Sequence, residues 1–270
     1  MAALESMAGW DGAAAGAAIF PDGSIERFGD TVRPFELASI TKLYTAMAAL
    51  IAHEEGTLDL DDPIGDAGFT VSDLLAHSSG VAPDERRWLA PPQTRRIYST
   101  AGYEILADAI AEAAGMPFAH YAKEAVVDPL ELPTLRLDGS PGAGAIGSVE
   151  DVIGLSAAWR RPVLVDESTL AAARSPHLPE LDGVLPGFGA QDPNPWGLGP
   201  EIRGEKSPHW TAPTNDPQTF GHFGRTGTML WIDPVAETTL IALSDQGFGP
   251  WAANAWPVLS SAVLDAATTG

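Results

Sequence analysis

The order of the predicted secondary-structure elements is what most restricts the fold of this 270-residue chain. Segments typical of β-strands lie near its start, at residues 16–20 and 24–28, and near its end, at residues 228–233 and 238–243. The turn Pro21-Asp22-Gly23 joins the first two segments as a predicted hairpin. Apolar residues between the two pairs recur at helical spacing. We therefore predict an α/β (α+β) fold, in which strands from both chain ends form one antiparallel sheet flanked by helices, with a helical lobe inserted.

The order of the predicted strands and helices along the chain also predicts two lobes. Residues 1–58 and 190–270 are expected to form an α/β lobe that contains the antiparallel sheet, and residues 59–189 a mainly helical lobe. Residues 183–217 are rich in loop formers, and helices are predicted at residues 71–76, 101–114, 117–127, 149–159, 167–173 and 251–267. A length of 270 residues suits one enzyme whose lobes share a core, and we expect its active site in the cleft between them.

Ser39 and Lys42 form an S-x-x-K pair at the start of a predicted helix. Residues three apart lie on one face of a helix, so the Lys42 amine can approach the Ser39 hydroxyl. A serine becomes a nucleophile when a neighbouring base takes its proton, and a lysine is such a base when desolvation or a nearby group lowers its pKa. The first helical turn would also favour an oxyanion. The pair alone leaves open a simpler interpretation, in which Ser39 caps the helix and Lys42 is solvated.

Further motifs follow the S-x-x-K pair in a fixed order. They are Leu74-Leu75-Ala76-His77-Ser78-Ser79-Gly80, Tyr98-Ser99-Thr100-Ala101-Gly102-Tyr103, Gly221-His222-Phe223-Gly224 and Leu230-Trp231-Ile232-Asp233-Pro234. With these motifs the chain resembles the serine β-lactamase and penicillin-binding-protein superfamily, most closely the class C-like branch that includes esterases and D-aminopeptidases. The resemblance runs from about Ser24 to the C-terminal helix, and it implies a β-lactamase-like (DD-peptidase) fold.

The resemblance also implies roles for individual residues. Ser39 matches the acylated serine, Lys42 its partner lysine, and Tyr98 the tyrosine of the Y-x-N motif. Residues 222–224 match the strand that lines the other side of the site, so His222 and Gly224 are expected there. The backbone N–H groups of Ser39 and Arg225 would form the oxyanion hole. A phenol beside an ammonium has a lowered pKa, so Tyr98 and Lys42 could share a proton near neutrality, and either of them could be the base that deprotonates Ser39.

Two positions depart from the superfamily pattern. Thr100 replaces the asparagine of Y-x-N, which removes a side-chain amide that would bind the substrate and the lysine. His222 replaces the lysine of K-T-G, as in esterase-like members, which removes a permanent cation for a substrate carboxylate. Both replacements weaken the expectation of β-lactamase or carboxypeptidase activity. Neither removes the acylating serine and its partners.

The predicted function is therefore that of a serine hydrolase, which acts on a small ester or amide through a Ser39 acyl-enzyme. Two alternatives stay open: a D-amino-acid peptidase or β-lactamase, and a protein that is acylated without turnover and acts as a sensor. No cofactor and no metal are expected. The partner is a small-molecule ester, amide or β-lactam, and the oligomeric state is left open.

The charge and composition of the chain restrict the kinds of partner that it can bind and the cellular compartment in which we expect it. The 15 basic and 36 acidic residues give a net charge of −21, which argues against nucleic acid or an anionic membrane as a partner. The absence of cysteine excludes disulfides and thiolate chemistry. The first residues, Met1 to Ser6, lack the basic segment of a signal peptide, and no apolar run is long enough to span a bilayer. We expect a cytoplasmic protein.

Three other features have more than one interpretation. The G-x-G-x-x-G match at residues 142–147 is expected to be a glycine-rich entry to the helix at 149, since no buried strand precedes it as a dinucleotide site requires. His77 is expected to bond to backbone at a helix end, with catalysis as the less favoured role. Trp196 and Trp210 are expected to pack in the core or to hold loops in place, although either could form a wall of an acyl pocket.

Overall fold

The centre of the structure, a computed structural model that describes residues 2–65 and 68–269, is a six-stranded antiparallel sheet. The strands of the described residues are β1 (Ala14–Ile19), β2 (Ile25–Phe28), β3 (Phe35–Glu36), β4 (Pro63–Ile64), β5 (Phe69–Thr70), β6 (Ile146–Gly147), β7 (Gly183–Leu185), β8 (Gly189–Gln191), β9 (Glu201–Ile202), β10 (Phe220–Gly224), β11 (Thr228–Asp233) and β12 (Thr238–Ser244). The sheet order is β2-β1-β12-β11-β10-β9, so the first strand of the chain pairs with the last. The predicted antiparallel sheet built from both chain ends is confirmed.

Helices cover both faces of this sheet and fill the region between its two groups of strands. In the described part of the chain they are α1 (Thr41–Glu54), α2 (Val71–Leu75), α3 (Thr100–Ala114), α4 (Phe118–Ala122), α5 (Val149–Arg160), α6 (Glu167–Ala173) and α7 (Pro250–Thr269). Helix α5 packs on β1, β11 and β12, while α7 packs on β12. None of these helices is long and apolar enough to cross a membrane.

The two faces of the sheet belong to two different apolar cores. Successive residues of a strand point to opposite faces. On β11, Leu230 joins the core shared with the helical region, whereas Trp231 joins the core beneath α7. On β12, Ile241 and Leu240 divide in the same way. Burial on both sides explains why these strands are almost continuously apolar.

Local capping explains several of the predicted helix ends. Thr70 and Asp73 form a capping box at the start of α2, each side chain bonding to the other's backbone N–H. Helix α3 ends at Gly115, which has a φ of 66° and adopts the left-handed conformation that favours glycine. The chain thereby turns sharply towards α4.

The structure differs from the predicted elements in three places. Ser39 lies in a short 3₁₀ turn, Ala38–Ile40, and α1 begins only at Thr41, so Ser39 precedes the helix that contains Lys42. The single helix predicted at 117–127 is α4 followed by a π-helical turn, Lys123–Val127. The loop-rich segment 183–217 contains the hairpin β7–β8 and the edge strand β9.

The predicted lobe boundaries remain a prediction. All strands of the six-stranded sheet fall in residues 14–28 and 201–244, within the ranges proposed for the α/β lobe. Met1 and Gly270, in the ranges predicted for the α/β lobe, and Asp66 and Ala67, in the range predicted for the helical lobe, lie outside the described residues.

Candidate active site

The segment that leads into Ser39 is clamped against the sheet. The side-chain hydroxyl of Thr226 donates to the Glu36 carbonyl at 2.6 Å, and that of Thr228 donates to the Leu37 carbonyl at 3.0 Å. The next residue, Ala38, has a φ of 45°, in the left-handed region that a side chain disfavours. Such local strain persists only where the surrounding contacts enforce it. These contacts fix the backbone immediately before Ser39.

Gly224 allows the end of β10 to approach this segment. A Cβ at Gly224 would lie 2.6 Å from the carbonyl oxygen of Leu37 and 2.9 Å from the Cβ of Ala38. Any other residue would therefore push the strand away. The close approach places Arg225, which follows β10, next to the Ser39 turn. The predicted oxyanion hole requires Ser39 and Arg225 to be this close together. That their backbone N–H groups bind an oxyanion remains a prediction.

Tyr98 contacts the candidate nucleophile directly. Its hydroxyl donates to the Ser39 Oγ at 2.6 Å. Its ring packs against His77 and Trp196, with centroid distances of 4.6 and 5.8 Å. This burial raises the pKa of Tyr98 well above its ordinary value, which the hydrogen bond to Ser39 only partly offsets. The expected lowering of the Tyr98 pKa beside Lys42 is wrong, because desolvation of the phenolate outweighs the neighbouring ammonium.

Lys42 is fully buried behind the cleft. Burial lowers its pKa from 10.5 to about 7, and the more distant carboxylates of Asp84 and Glu104 offset this effect only in part. The Lys42 amine donates to the Thr100 hydroxyl at 3.2 Å and to the Gly142 carbonyl at 2.7 Å. A neutral amine has two N–H donors and one lone pair, so these two acceptors can occupy both donors and leave the lone pair free. The residue is suited to accept a proton.

Gly142 was not predicted to belong to the site. Its carbonyl gives Lys42 a second acceptor besides the hydroxyl of Thr100, the residue that replaces the superfamily asparagine. The segment is tied to α1 by the Thr45 hydroxyl, which donates to the Pro141 carbonyl at 2.6 Å, and by the Thr41 hydroxyl, which accepts from the Ala145 N–H at 2.9 Å. The glycine-rich motif does lead through β6 into α5, as predicted, and it also positions the lysine. The loss of the asparagine was the one hint in the sequence that another acceptor was needed.

Gly142→Ala is expected to slow ester hydrolysis by about 10²-fold, the cost of misplacing a catalytic group by roughly 1 Å. A Cβ at this position would lie 2.8 Å from the Thr100 Cγ2, so the carbonyl that holds Lys42 must shift. The measurement is kcat/KM for a small ester together with the melting temperature. Gly9→Ala, at a glycine with no neighbouring atom within 4 Å, is the matched control. Unchanged kcat/KM in Gly142→Ala would show that the carbonyl does not position Lys42.

His222 provides a hydrogen-bond acceptor rather than a cation. Its Nδ1 lies 2.8 Å from the Phe223 carbonyl, which can only accept, so Nδ1 carries the proton and Nε2 has a free lone pair. Burial lowers the pKa of His222 to about 3, and the charge of Lys42 acts in the same direction. Nε2 is buried and has no hydrogen-bond partner among the described residues. The imidazole is therefore neutral at pH 7, as predicted.

Most of the predicted site residues line one cleft of about 370 Å³: Ser39, Tyr98, Thr100, His222 and Arg225. Lys42 and Gly224 lie behind its wall. His77 holds the Tyr98 loop, because its Nδ1 accepts from the Ser99 N–H at 3.1 Å, so the predicted backbone role of this histidine is confirmed. Trp196 lines the cleft, and Trp210 lies outside its lining and donates to Glu201 at 2.8 Å.

Glu201 is part of a buried charged cluster that the sequence did not indicate. Its carboxylate pairs with Lys206 at 2.7 Å and with His209 at 2.8 Å. Burial tends to raise the pKa of Glu201, but the Lys206 ammonium and the hydrogen bonds with Lys206 and His209 lower it well below its usual range. The cluster supports the wall of the cleft formed by Trp196, because the Lys206 amine lies 5.7 Å from the centroid of that ring.

Comparisons with known proteins agree with this geometry. The Beta-lactamase family model matches residues 29–263. The crystal structure of a β-lactamase from Mycobacterium bovis is 47% identical to this chain, with a TM-score of 0.96 over 98% of this chain and 99% of the other. A penicillin-binding protein from Bacillus halodurans has the same fold at 19% identity, with a TM-score of 0.74 over 94% and 97% of the two chains.

Curated relatives match over shorter stretches. The D-alanyl-D-alanine-carboxypeptidase/endopeptidase AmpH of Escherichia coli K12 is 26% identical over 157 residues, 43% of this chain and 41% of that protein. Penicillin-binding protein 4* of Bacillus subtilis is 27% identical over 137 residues, 38% of this chain and 30% of that protein. The matches thus span less than half of either relative. Because the family model covers most of the chain, the resemblance and the β-lactamase-like fold are confirmed: this chain belongs to the Beta-lactamase family of serine hydrolases.

Proposed function

We propose that the protein hydrolyses small esters or amides through an acyl-enzyme on Ser39. The observation that supports this most is the 2.6 Å hydrogen bond between Tyr98 and Ser39, formed beside a buried Lys42 whose pKa is about 7. The Lys42 amine lies 4.7 Å from the centroid of the Tyr98 ring, and its hydrogen bonds go to Thr100 and Gly142 rather than to Ser39. Nucleophilic catalysis needs a base that is partly neutral at pH 7, and Lys42 supplies one next to the tyrosine that contacts the serine. Tyr98, with its raised pKa, stays protonated under the same conditions.

In the acylation step, the Ser39 Oγ attacks the substrate carbonyl carbon while the neutral amine of Lys42 takes the serine proton. The carbonyl oxygen becomes an oxyanion, which the backbone N–H groups of Ser39 and Arg225 would stabilise. Loss of one such donor costs roughly 10²–10³ in rate. Tyr98 then gives its proton to the leaving alcohol or amine as the bond to the carbonyl carbon breaks, and the Lys42 ammonium returns a proton to the phenolate. A water molecule releases the acyl group by the reverse sequence.

The neutral His222 favours esters over β-lactams. A β-lactam has a carboxylate beside its ring, and a free imidazole lone pair repels an anion but accepts a hydrogen bond from a substrate N–H or O–H. The net charge of −21 adds a weak, screened repulsion of anions. Among the described residues that line the cleft, Arg225 is the only lysine or arginine, so its side chain would be the group to replace the missing lysine.

The test compares kcat/KM for p-nitrophenyl acetate and for nitrocefin on one preparation. We expect the ester to be hydrolysed better, and intact-protein mass spectrometry after a slow ester to show one acyl adduct. Ser39→Ala is the matched control and should lose both the adduct and the turnover. An adduct on another residue, such as Ser99, would contradict the proposed nucleophile. Efficient nitrocefin turnover with negligible ester hydrolysis would instead indicate that Arg225 binds the β-lactam carboxylate.

A D-amino-acid peptidase is the second candidate, and Asp84 is the observation that favours it. This carboxylate lines the cleft and has no hydrogen bond or ion pair with another described residue, so it could bind a substrate ammonium. Including a D-alanine amide among the substrates separates the two candidates. The same assay tests a sensor role, because a sensor would stop after one equivalent of released product.

A further inference from the structure

A second cavity borders the active-site cleft. It has a volume of about 330 Å³ and shares Pro83, Tyr98 and Pro186 with the cleft. The shared wall therefore includes the residue whose hydroxyl is bonded to Ser39. We refer to the cavity, lined also by Leu89, Arg95, Arg96, Ile97 and Val184, as the side groove.

The side groove is unusually apolar for an exposed surface. Leu89 is 50% exposed and Val184 is 52% exposed, and the neighbouring Trp88 is 53% exposed. Of the seven large apolar side chains of the described residues that are this exposed, Leu89 and Val184 line the side groove, and Trp88 adjoins Leu89 in the chain. Clustered apolar exposure of this kind marks a binding surface.

The groove is also positively charged, although the chain as a whole is strongly acidic. Arg95 lines it and has no hydrogen bond or ion pair with any described residue. Arg96 lies beneath it, only 2% exposed, and its guanidinium donates to backbone carbonyls, including those of Ala76 and Asn194 at 2.8 and 3.2 Å. No carboxylate is among its hydrogen-bond partners in the described part of the chain. The buried guanidinium of Arg96 interacts with the carboxylates of Glu180 and Asp73, so the exposed guanidinium of Arg95 is what gives the groove a cationic end.

The walls of the groove are held in place by backbone contacts. The Pro83 carbonyl accepts from the N–H groups of Thr100 and Ala101 at 2.8 and 3.1 Å, which fixes it to the start of α3. Val184 lies in the hairpin β7–β8, and the Arg96 N–H donates to the Asp182 carbonyl at 2.7 Å. A cavity formed in advance binds a ligand without a large cost of ordering.

We propose that the preferred substrate has an apolar arm that ends in an anion, with the arm over Leu89 and Val184 and the anion at Arg95. This proposal rests on the proposed hydrolysis at Ser39. Apolar walls with a guanidinium at one end match such an arm in both polarity and charge. The anion in question is distant from the reacting carbonyl, which distinguishes it from the carboxylate beside a β-lactam ring.

The test uses two pairs of esters matched in length. In one pair the acyl arm varies: p-nitrophenyl hexanoate against the mono-p-nitrophenyl ester of adipic acid. In the other the alcohol arm varies: hexyl acetate against the acetate ester of 6-hydroxyhexanoic acid. We expect the carboxylate-ended member of one pair to have the lower KM. Arg95→Gln should raise that KM by about threefold to tenfold, in the range of partly exposed ion pairs, with kcat unchanged.

Three controls make the result decisive. Arg95→Lys should restore most of the preference, and Arg136→Gln, at an exposed arginine outside the groove, should leave it intact. Added salt should weaken the preference. If neither carboxylate-ended ester is preferred, or if Arg95→Gln has no effect on it, the groove does not bind an anion. The ester p-nitrophenyl acetate has no arm that ends in a carboxylate, so its Ser39-dependent hydrolysis reports separately on the proposed function.

Discussion

Lys42→Met is expected to lower kcat/KM for a small ester by roughly 10²–10⁴-fold, the range for losing a positioned general base. Methionine has a similar length and no charge, so the buried pocket stays filled. It cannot take the Ser39 proton, and it leaves the Gly142 carbonyl without its donor. The measurement is kcat/KM for p-nitrophenyl acetate. Lys123→Met, at an exposed lysine paired with Asp128, is the control and should be unaffected.

The pH profile of the unmodified enzyme gives an independent check on Lys42. Burial disfavours the charged amine and lowers its pKa to about 7, so the amine is protonated and inactive as a base below that pH. The value of kcat/KM should therefore rise with pH up to about 7 and then level off. Lys42→Met should lose this rise. A rate that falls as pH increases through 7 would show that the protonated amine, rather than the free base, is the active form.

Tyr98→Phe is expected to lower kcat/KM by roughly 10²–10⁴-fold, as Lys42→Met does, but for a different reason. The substitution keeps the ring against His77 and Trp196 but removes the hydroxyl that bonds to Ser39. The leaving group would then depart without a proton donor. The rise near pH 7 should persist in Tyr98→Phe, since it belongs to Lys42.

Two further measurements separate Tyr98 from a structural tyrosine. Tyr121→Phe, which removes a hydroxyl that donates to Glu55 at 2.8 Å outside the site, should retain activity. The double variant Lys42→Met with Tyr98→Phe should be little worse than the worse single variant, because groups that act as a unit are not additive. Fully multiplicative losses would mean that the two residues work in independent steps. Because burial raises the pKa of Tyr98, no loss of activity from its ionisation is expected up to about pH 10.

Much of the site could be predicted because it depends on motifs in a fixed order. Ser39, Tyr98 and His222 each stand in a recognisable local pattern, and the structure brings all three to one cleft. The capping box of Thr70 and Asp73 at the start of α2 is likewise local. Such features depend on residues a few positions apart, which a sequence displays directly.

Other properties depend on contacts between distant segments. One acceptor for Lys42 is a backbone carbonyl 100 residues away. Because every residue has a backbone carbonyl, the sequence does not indicate which of them binds the lysine. The pKa of Tyr98 is decided by how completely neighbouring rings exclude water, so the argument from charge alone predicted the wrong direction. The cluster around Glu201 lies in a loop-rich segment without periodicity, where sequence patterns are weakest.

The pairing of β1 with β12 has a consequence for synthesis of the protein. The two strands align from Ala14 opposite Ser244 to Ile19 opposite Thr239, which closes a loop of more than two hundred residues. On the ribosome, Ser39 and Tyr98 emerge long before His222 and the strand that completes the sheet. The nascent chain therefore cannot assemble the acylating site until its last strand is available. We therefore expect the unfinished chain to have no hydrolase activity, and activity to appear in a single late step rather than grow with length.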